Sequence, residues 1–463
     1  MNEVNPPKAV ESIVETIGNT PMVKLHTFSD LKGKYYAKLE SFNPGGSSKD
    51  RIGITIVEQA EKEGLLKPGG TIIEATSGNT GLGLALLGIK KGYNVILIMP
   101  DKMSPAKMNV VKAMGCEVIV CPTEVEPDDP RSYYSVAKKV AKDTPGSFYA
   151  NQYHNDANPL AHYLSTGPEI WKQTQGKITH FIAGLGTGGT ISGTAKFLKE
   201  KNPDIKIIGV DPLGSILAHF HRTKNTDIDA KGYKVEGVGE DIIPSNVDFD
   251  LIDHVVTVTD KESFDWTWRL AREDGMLVGG SSGLAVAGAN LYFEDNQQDE
   301  VLTVILLPDT GERYIDKIFS EAWLRSNGFL EKITTLKELV FSKAANLPPL
   351  ITLSTQDTLI DAYDKIDKFK INQVLIETKD KYIQLLTKSV VYNALLSDQP
   401  HNTKIGKLEL IDVNFMDIET DYTIAKVALV EKEVIIITRS ESPIGIITRQ
   451  DLIDNTNIRE SDL

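Results

Sequence analysis

Between about residues 71 and 309 the chain alternates short, nearly continuous apolar runs with amphipathic stretches. The runs are 71–76, 95–100, 117–121, 181–184, 206–210, 254–258 and 302–307. They are rich in Ile and Val and bounded by Gly, Pro or Asp, the pattern of strands covered on both faces. Helical stretches such as 105–115 and 192–201 fall between them, which predicts an α/β fold of parallel sheets with covering helices. In such folds ligands gather at the carboxyl ends of strands, where loops run into helix N-termini.

After about residue 326 the pattern changes. Residues 327–347 are more polar and run into Leu-Pro-Pro, which predicts a linker between a first domain, 1–326, and a second, 348–463. The second contains two weakly similar halves, about 348–398 and 408–457. Each reads strand–helix–strand–strand–helix, an internal duplication that predicts two modules packed face to face.

Composition narrows the partners. A net charge of −14 repels phosphate backbones, so nucleic acid is excluded as a partner, and any anionic ligand must be caught by local features. No apolar run approaches the roughly 18 residues of a membrane span, and the N-terminus lacks a basic-then-apolar leader, so a cytoplasmic protein is expected. The two cysteines, Cys116 and Cys121, provide neither a disulfide framework nor a zinc set; they are expected to be buried thiols, and no metal site is expected.

Four glycine-rich segments carry the candidate chemistry. Asn43-Pro-Gly-Gly-Ser-Ser-Lys49-Asp-Arg51 delivers a lysine to the start of a predicted helix, 48–62. A helix N-terminus and Arg51 beside it would disfavour the ammonium, and an uncharged amine forms an imine with an aldehyde. Directly after a strand, Thr76, Ser77, Gly78, Asn79 and Thr80 crowd hydroxyls, an amide and free N–H groups at one helix start, sized for a carboxylate or phosphate. Gly184-Leu-Gly186-Thr187-Gly188-Gly189-Thr190 matches G-x-G-x-x-G, with Asp211 about twenty residues on. A dinucleotide site therefore competes, although Thr187 and Thr190 suit a phosphate monoester. Finally, Gly279-Gly280-Ser281-Ser282-Gly283 offers close backbone approach and a neutral hydroxyl. Each segment alone is also compatible with an ordinary capped turn.

Their joint order resembles the fold type II pyridoxal-phosphate (PLP) enzymes, and among them the cystathionine β-synthase family most. Gly18-Asn-Thr-Pro-Met, Gln152-Tyr153, Asn158-Pro-Leu-Ala-His and Val235-Glu-Gly-Val-Gly239-Glu240 add to the likeness. The resemblance implies two parallel-sheet subdomains covered by helices. It implies PLP held covalently by Lys49, which also moves the substrate's α-proton. Asn79 would bond the ring oxygen, Gly186, Thr187, Gly188, Gly189 and Thr190 the phosphate, and Ser281 the ring nitrogen. Thr76, Ser77, Gly78, Thr80, Gln152, Tyr153, Gly239 and Glu240 would bind amino-acid substrates. The implied activity is β-replacement of serine, or an O-acylated serine, by homocysteine through an aminoacrylate; the same chemistry would release hydrogen sulfide from cysteine. Cysteine synthase chemistry, O-acetylserine plus sulfide, is the runner-up, and a non-catalytic sensor on the same scaffold a third reading. Animal members carry a haem segment with a cysteine ligand; no Cys precedes residue 116 here, so no haem is expected.

The C-terminal halves resemble tandem CBS repeats, an α/β regulatory module. Thr448 and Asp451 fit its T-x-x-D, which would hold an adenosyl ligand such as S-adenosylmethionine or an adenine nucleotide. The first half has Thr387 but Val390 in place of the Asp. A purely structural dimerisation module is the alternative, and a homodimer or higher homo-oligomer is expected.

Overall fold

In the computed structural model the described residues are 9–76, 78–101, 103, 105–123, 125, 129–296, 300–330, 336–341, 350–377, 383–397, 399–432, 434–440 and 442–451. The chain divides into two compact units, 1–319 and 320–463.

In the first unit, β1 (Met22–Lys24) and β2 (Lys34–Leu39) pair antiparallel. Strands β3 (Thr71–Ala75), β4 (Asn94–Pro100), β5 (Glu117–Cys121) and β6 (Ser147–Tyr149) form an all-parallel sheet ordered β5-β4-β3-β6. Strands β7 (His180–Gly184), β8 (Lys206–Pro212), β9 (His254–Val258) and β10 (Leu302–Leu307) join β1 and β2 in a sheet ordered β1-β2-β10-β7-β8-β9, parallel but for β1. The covering helices are α1 (Lys49–Lys62), α2 (Asn79–Lys91), α3 (Pro105–Ala113), α4 (Tyr133–Asp143), α5 (Ala157–Leu164), α6 (Thr166–Gln173), α7 (Gly189–Lys201), α8 (Leu217–Thr223), α9 (Asp260–Glu273) and α10 (Gly280–Asp295). Residues of β3, such as Ile72 and Ile73, and of β10, such as Val304 and Ile305, are buried on both faces, the physical reason for their unbroken apolarity. The fold is that of a type II PLP enzyme, with two parallel-sheet layers.

In the second unit, α11 (Glu321–Ser326) and α12 (Leu336–Phe341) precede β11 (Thr352–Ser354), α13 (Leu359–Phe369), β12 (Gln373–Glu377), β13 (Ile383–Thr387) and α14 (Lys388–Leu396). Then come β14 (Ile411–Asp412), β15 (Asn414–Asp417), α15 (Tyr422–Glu431), β16 (Val434–Arg439) and β17 (Ser442–Thr448). The sheets run β11-β12-β13-β14 and β15-β16-β17. Leu375 and Leu385 of one meet Val434 and Ile436 of the other in a shared core. The predicted linker needs correction. It contains α12, whose Leu336 and Leu339 are buried with Ile418, Ala425 and Ile437 in the core of the second repeat. A single six-residue stretch, Leu336-Lys-Glu-Leu339-Val340-Phe341, was too short a signal to lift that helix out of its polar surroundings. The end of the second half, 452–457, lies outside the described residues.

Candidate active site

The turn before Lys49 is anchored to the end of β10: Ser48 N donates to Pro308 O at 2.8 Å, and Thr310 N to Gly46 O at 3.1 Å. Lys49 then opens α1, which crosses α2 at Gly53 and Gly83. A Cβ on Gly83 would overlap the Lys49 carbonyl, so only glycine lets the two helices approach closely enough to place Lys49 beside the start of α2. Lys49 lines a cleft of about 400 Å³, part of it open to solvent, together with Gly186, Thr187, Gly188, Thr190, Gly237 and Val238. Among the described residues its Nζ takes part in no hydrogen bond or ion pair. Burial lowers its pKa below the ordinary lysine value, while Asp309, Glu240 and Glu40 pull the other way. Arg51 is not a cause, contrary to the expectation from sequence. Its guanidinium is engaged by Glu40 and Glu169, each at 2.6 Å.

Helix α7 begins at Gly188, at φ +86, with no side-chain cap, which leaves the first-turn N–H groups for an anion. A Cβ on Gly188 would fall 2.6 Å from Val247 N. Thr187 accepts from Asn158 Nδ2 at 3.1 Å, and Thr190 meets His162 Nε2 at 3.1 Å. Burial lowers the His162 pKa to about 3, so the ring is neutral at physiological pH. Asp211 does not line the cleft: its carboxylate accepts from Ala218 N at 2.8 Å at the start of α8. The dinucleotide reading therefore loses its ribose ligand.

Helix α2 begins at Gly78, also without a side-chain cap; Thr76 Oγ1 accepts from Gly78 N at 3.0 Å. Thr80 donates to Gln152 Oε1 at 2.6 Å, joining two residues 72 apart in sequence. The backbone carbonyl of Gln152 accepts from Asn158 at 2.8 Å and Asn246 at 2.7 Å, tying this group to the α7 loop. Ser77 lies outside the described residues. Asn79 donates to Asp309 Oδ2 at 2.8 Å and accepts from Arg313. Helix α10 starts at Gly279, whose N–H donates to Asp309 O at 3.2 Å, with Ser281 buried in its first turn. Asn79, Thr80, Gln152 and Ser281 are not part of the cleft lining itself. Asp309 thus connects the starts of α2 and α10, and sequence reading missed it, as it missed Arg313 and Tyr314. Its place just beyond a strand's carboxyl end was the available signal.

Gly239 N donates to Leu185 O at 2.7 Å and Glu240 N to Ser215 Oγ at 3.0 Å, which fixes the 235–240 segment. The rings of Tyr153 and Tyr134 meet edge-on at 5.5 Å. Burial, and secondarily the Glu240 charge, push the Tyr153 phenol well above its ordinary value. In the second unit, Asp451 accepts from Thr448 N at 2.6 Å and Thr448 Oγ1 at 2.8 Å. The T-x-x-D pair is thereby also a local helix-start motif.

The chain matches the family model described as pyridoxal-phosphate dependent enzyme over residues 13–309. It belongs to the pyridoxal-phosphate-dependent enzyme family. It is similar to cystathionine beta-synthase of Apis mellifera, 45% identical over 329 residues, covering 70% of this chain and 64% of that enzyme. Cystathionine beta-synthase of Saccharomyces cerevisiae is 39% identical over 443 residues, covering 88% and 87%. Cysteine synthase 1 of Neurospora crassa is 37% identical, over 70% of this chain. Among solved structures, a hydrogen sulfide-producing enzyme from Fusobacterium nucleatum matches at TM-score 0.62 and 37% identity, over 66% of this chain and all of that one. An O-acetylserine dependent cystathionine beta-synthase from Helicobacter pylori matches at TM-score 0.60 and 37% identity, over 67% and 98%.

The residues present fit PLP. Among the described residues, an amine without a protein partner and an uncapped helix start bordered by glycines line one cleft, and the buried Ser48 Oγ there has no hydrogen-bond partner. Among the described residues no helix is long and apolar enough to cross a membrane.

Proposed function

We propose that this chain is a cystathionine β-synthase, replacing the β-substituent of serine or an O-acylated serine with homocysteine. The observation that carries the reading is Lys49 Nζ, a partly buried amine of lowered pKa opposite the bare start of α7. Bound PLP would supply an electron sink for the substrate's α-carbon. Lys49 would hold its aldehyde and move the proton at Cα. The α7 start, with Gly186, Thr187, Gly188, Gly189 and Thr190, would hold its phosphate; Asn79 would face the ring oxygen and Ser281 the ring nitrogen. A serine hydroxyl leaves that nitrogen unprotonated, which favours β-elimination and re-addition over transamination. Thr76, Ser77, Gly78, Thr80 and Gln152 would orient the α-carboxylate. Glu240, with Tyr153 and Gly239, would place the ammonium of the incoming thiol amino acid.

The second unit would be a pair of CBS repeats, with Thr448 and Asp451 facing an adenosyl ligand. We also propose a cytoplasmic homo-oligomer. The test is a product assay with serine or O-acetylserine, each against homocysteine and sulfide. Cystathionine as main product supports the proposal; cysteine as the only product makes the chain a cysteine synthase. Lys49→Ala is expected to abolish the visible absorbance of bound PLP and to cut turnover at least roughly a thousandfold; a coloured, active variant refutes the assignment.

A further inference from the structure

Glu236 stands at the base of the segment whose Gly237 and Val238 wall the cleft. Its carboxylate is gripped from two sides. Lys107 of α3 reaches one oxygen at 2.5 Å, and Lys317, beyond β10, reaches the other at 2.6 Å. The buried Lys107 ammonium also donates to the Tyr314 hydroxyl at 3.1 Å and lies 4.4 Å from the centre of that ring. Tyr314 donates to Asp309 Oδ2 at 2.6 Å, and the same oxygen accepts from Asn79 at 2.8 Å. An unbroken chain of polar contacts, Glu236–Lys107–Tyr314–Asp309–Asn79, therefore runs from the cleft wall beside the larger sheet to α2 on the smaller one.

A buried ion pair loses the hydration of both partners, so stability alone is a weak reason to keep one here. What a buried hydrogen-bonded network does provide is fixed geometry, here through Asp309 Oδ2, while Asp309 Oδ1 has no hydrogen-bond partner among the described residues. We propose that Lys107 and Tyr314 are positioning residues. Through Asp309 they aim the Asn79 amide, and through Glu236 they hold the 235–240 segment, so that the cofactor side and the acceptor side of the cleft keep one register. This rests on the reading of Asn79 as the group facing the cofactor ring.

The test uses the PLP-loaded full chain and the variants Tyr314→Phe, Lys107→Met and Lys107→Arg. Tyr314→Phe removes one hydroxyl and keeps the ring, so it remains informative if Lys107→Met fails to fold. The expected result is a shift in the maximum, or in the pH midpoint, of the bound-cofactor absorbance band in Tyr314→Phe and Lys107→Met. The acceptor KM rises roughly tenfold, the donor KM less, and Lys107→Arg recovers most of the band position. If both variants keep the parental band and midpoint, even with a lower Tm, the relay is wrong and the residues are merely structural. A parent that shows no band at all overturns the cofactor reading and the relay with it.

Discussion

The capped helix starts of the second unit contrast with three glycine starts of the first. In the second unit α11, α13, α14 and α15 each receive a side-chain cap, from Ser320, Thr358, Thr387 and Asp421. In the first unit α2, α7 and α10 begin at Gly78, Gly188 and Gly279 with none. A cap satisfies orphan N–H groups within the chain; a bare start reserves them for something else. A missing cap alone does not mark a ligand site, since α5, α6 and α8 also begin without one, while α4 and α9 of the same unit are capped by Ser132 and Thr259. What sets apart the starts proposed to hold a ligand, α2, α7 and α10, is glycine at the bare position itself.

The contrast breaks most sharply at Gly188. Gly188→Ala places a methyl against Val247 at a positive φ and is expected to weaken PLP binding roughly 10- to 100-fold, read by titrating cofactor into the apoprotein. Unchanged affinity would remove the α7 start from the site. Glu240→Ala is expected to raise the KM for homocysteine roughly tenfold while moving that for serine less; equal changes would end its assignment to the acceptor.

Glu74, buried in β3 below the Thr76 turn, sharpens the comparison through pH. Burial pushes its carboxyl up to about 8. The folded state therefore holds a proton that the unfolded chain releases near pH 4.5, so this group costs stability increasingly as pH rises from about 5 to 8. Glu74→Gln should gain Tm relative to the parent at pH 8.5 and lose that advantage at pH 4.5; a pH-independent difference would place the proton elsewhere. The smallest effect belongs to the capped unit. Thr358→Ala should lower its stability by about 1 kcal/mol, seen as a Tm shift, and leave PLP binding untouched. A change in cofactor affinity would mean that the capped starts are not purely local.

Much of this was legible along the chain. The apolar runs at 117–121, 254–258 and 302–307 coincide with β5, β9 and β10. What escaped was structure whose reason lies far away in sequence. β2 mixes lysines with tyrosines because Lys38 is buried against Glu169, at 2.6 Å, 131 residues later. Arg51 reads as a neighbour of Lys49 until Glu40 and Glu169 are seen to hold it. Asp309 gains its meaning only where three chain segments meet. Periodicity reports burial, and local motifs report turns; neither reports which distant carboxylate completes a cationic side chain.

The core shared by the two repeats has a consequence for dissecting the molecule. Leu375 and Leu385 are buried against Val434 and Ile436, and β14, which follows the first repeat, pairs with β13. A truncation near residue 400 would strip a strand from the edge of the first sheet and uncover its greasy face, so neither half is an autonomous folding unit, and half-modules expressed alone should self-associate.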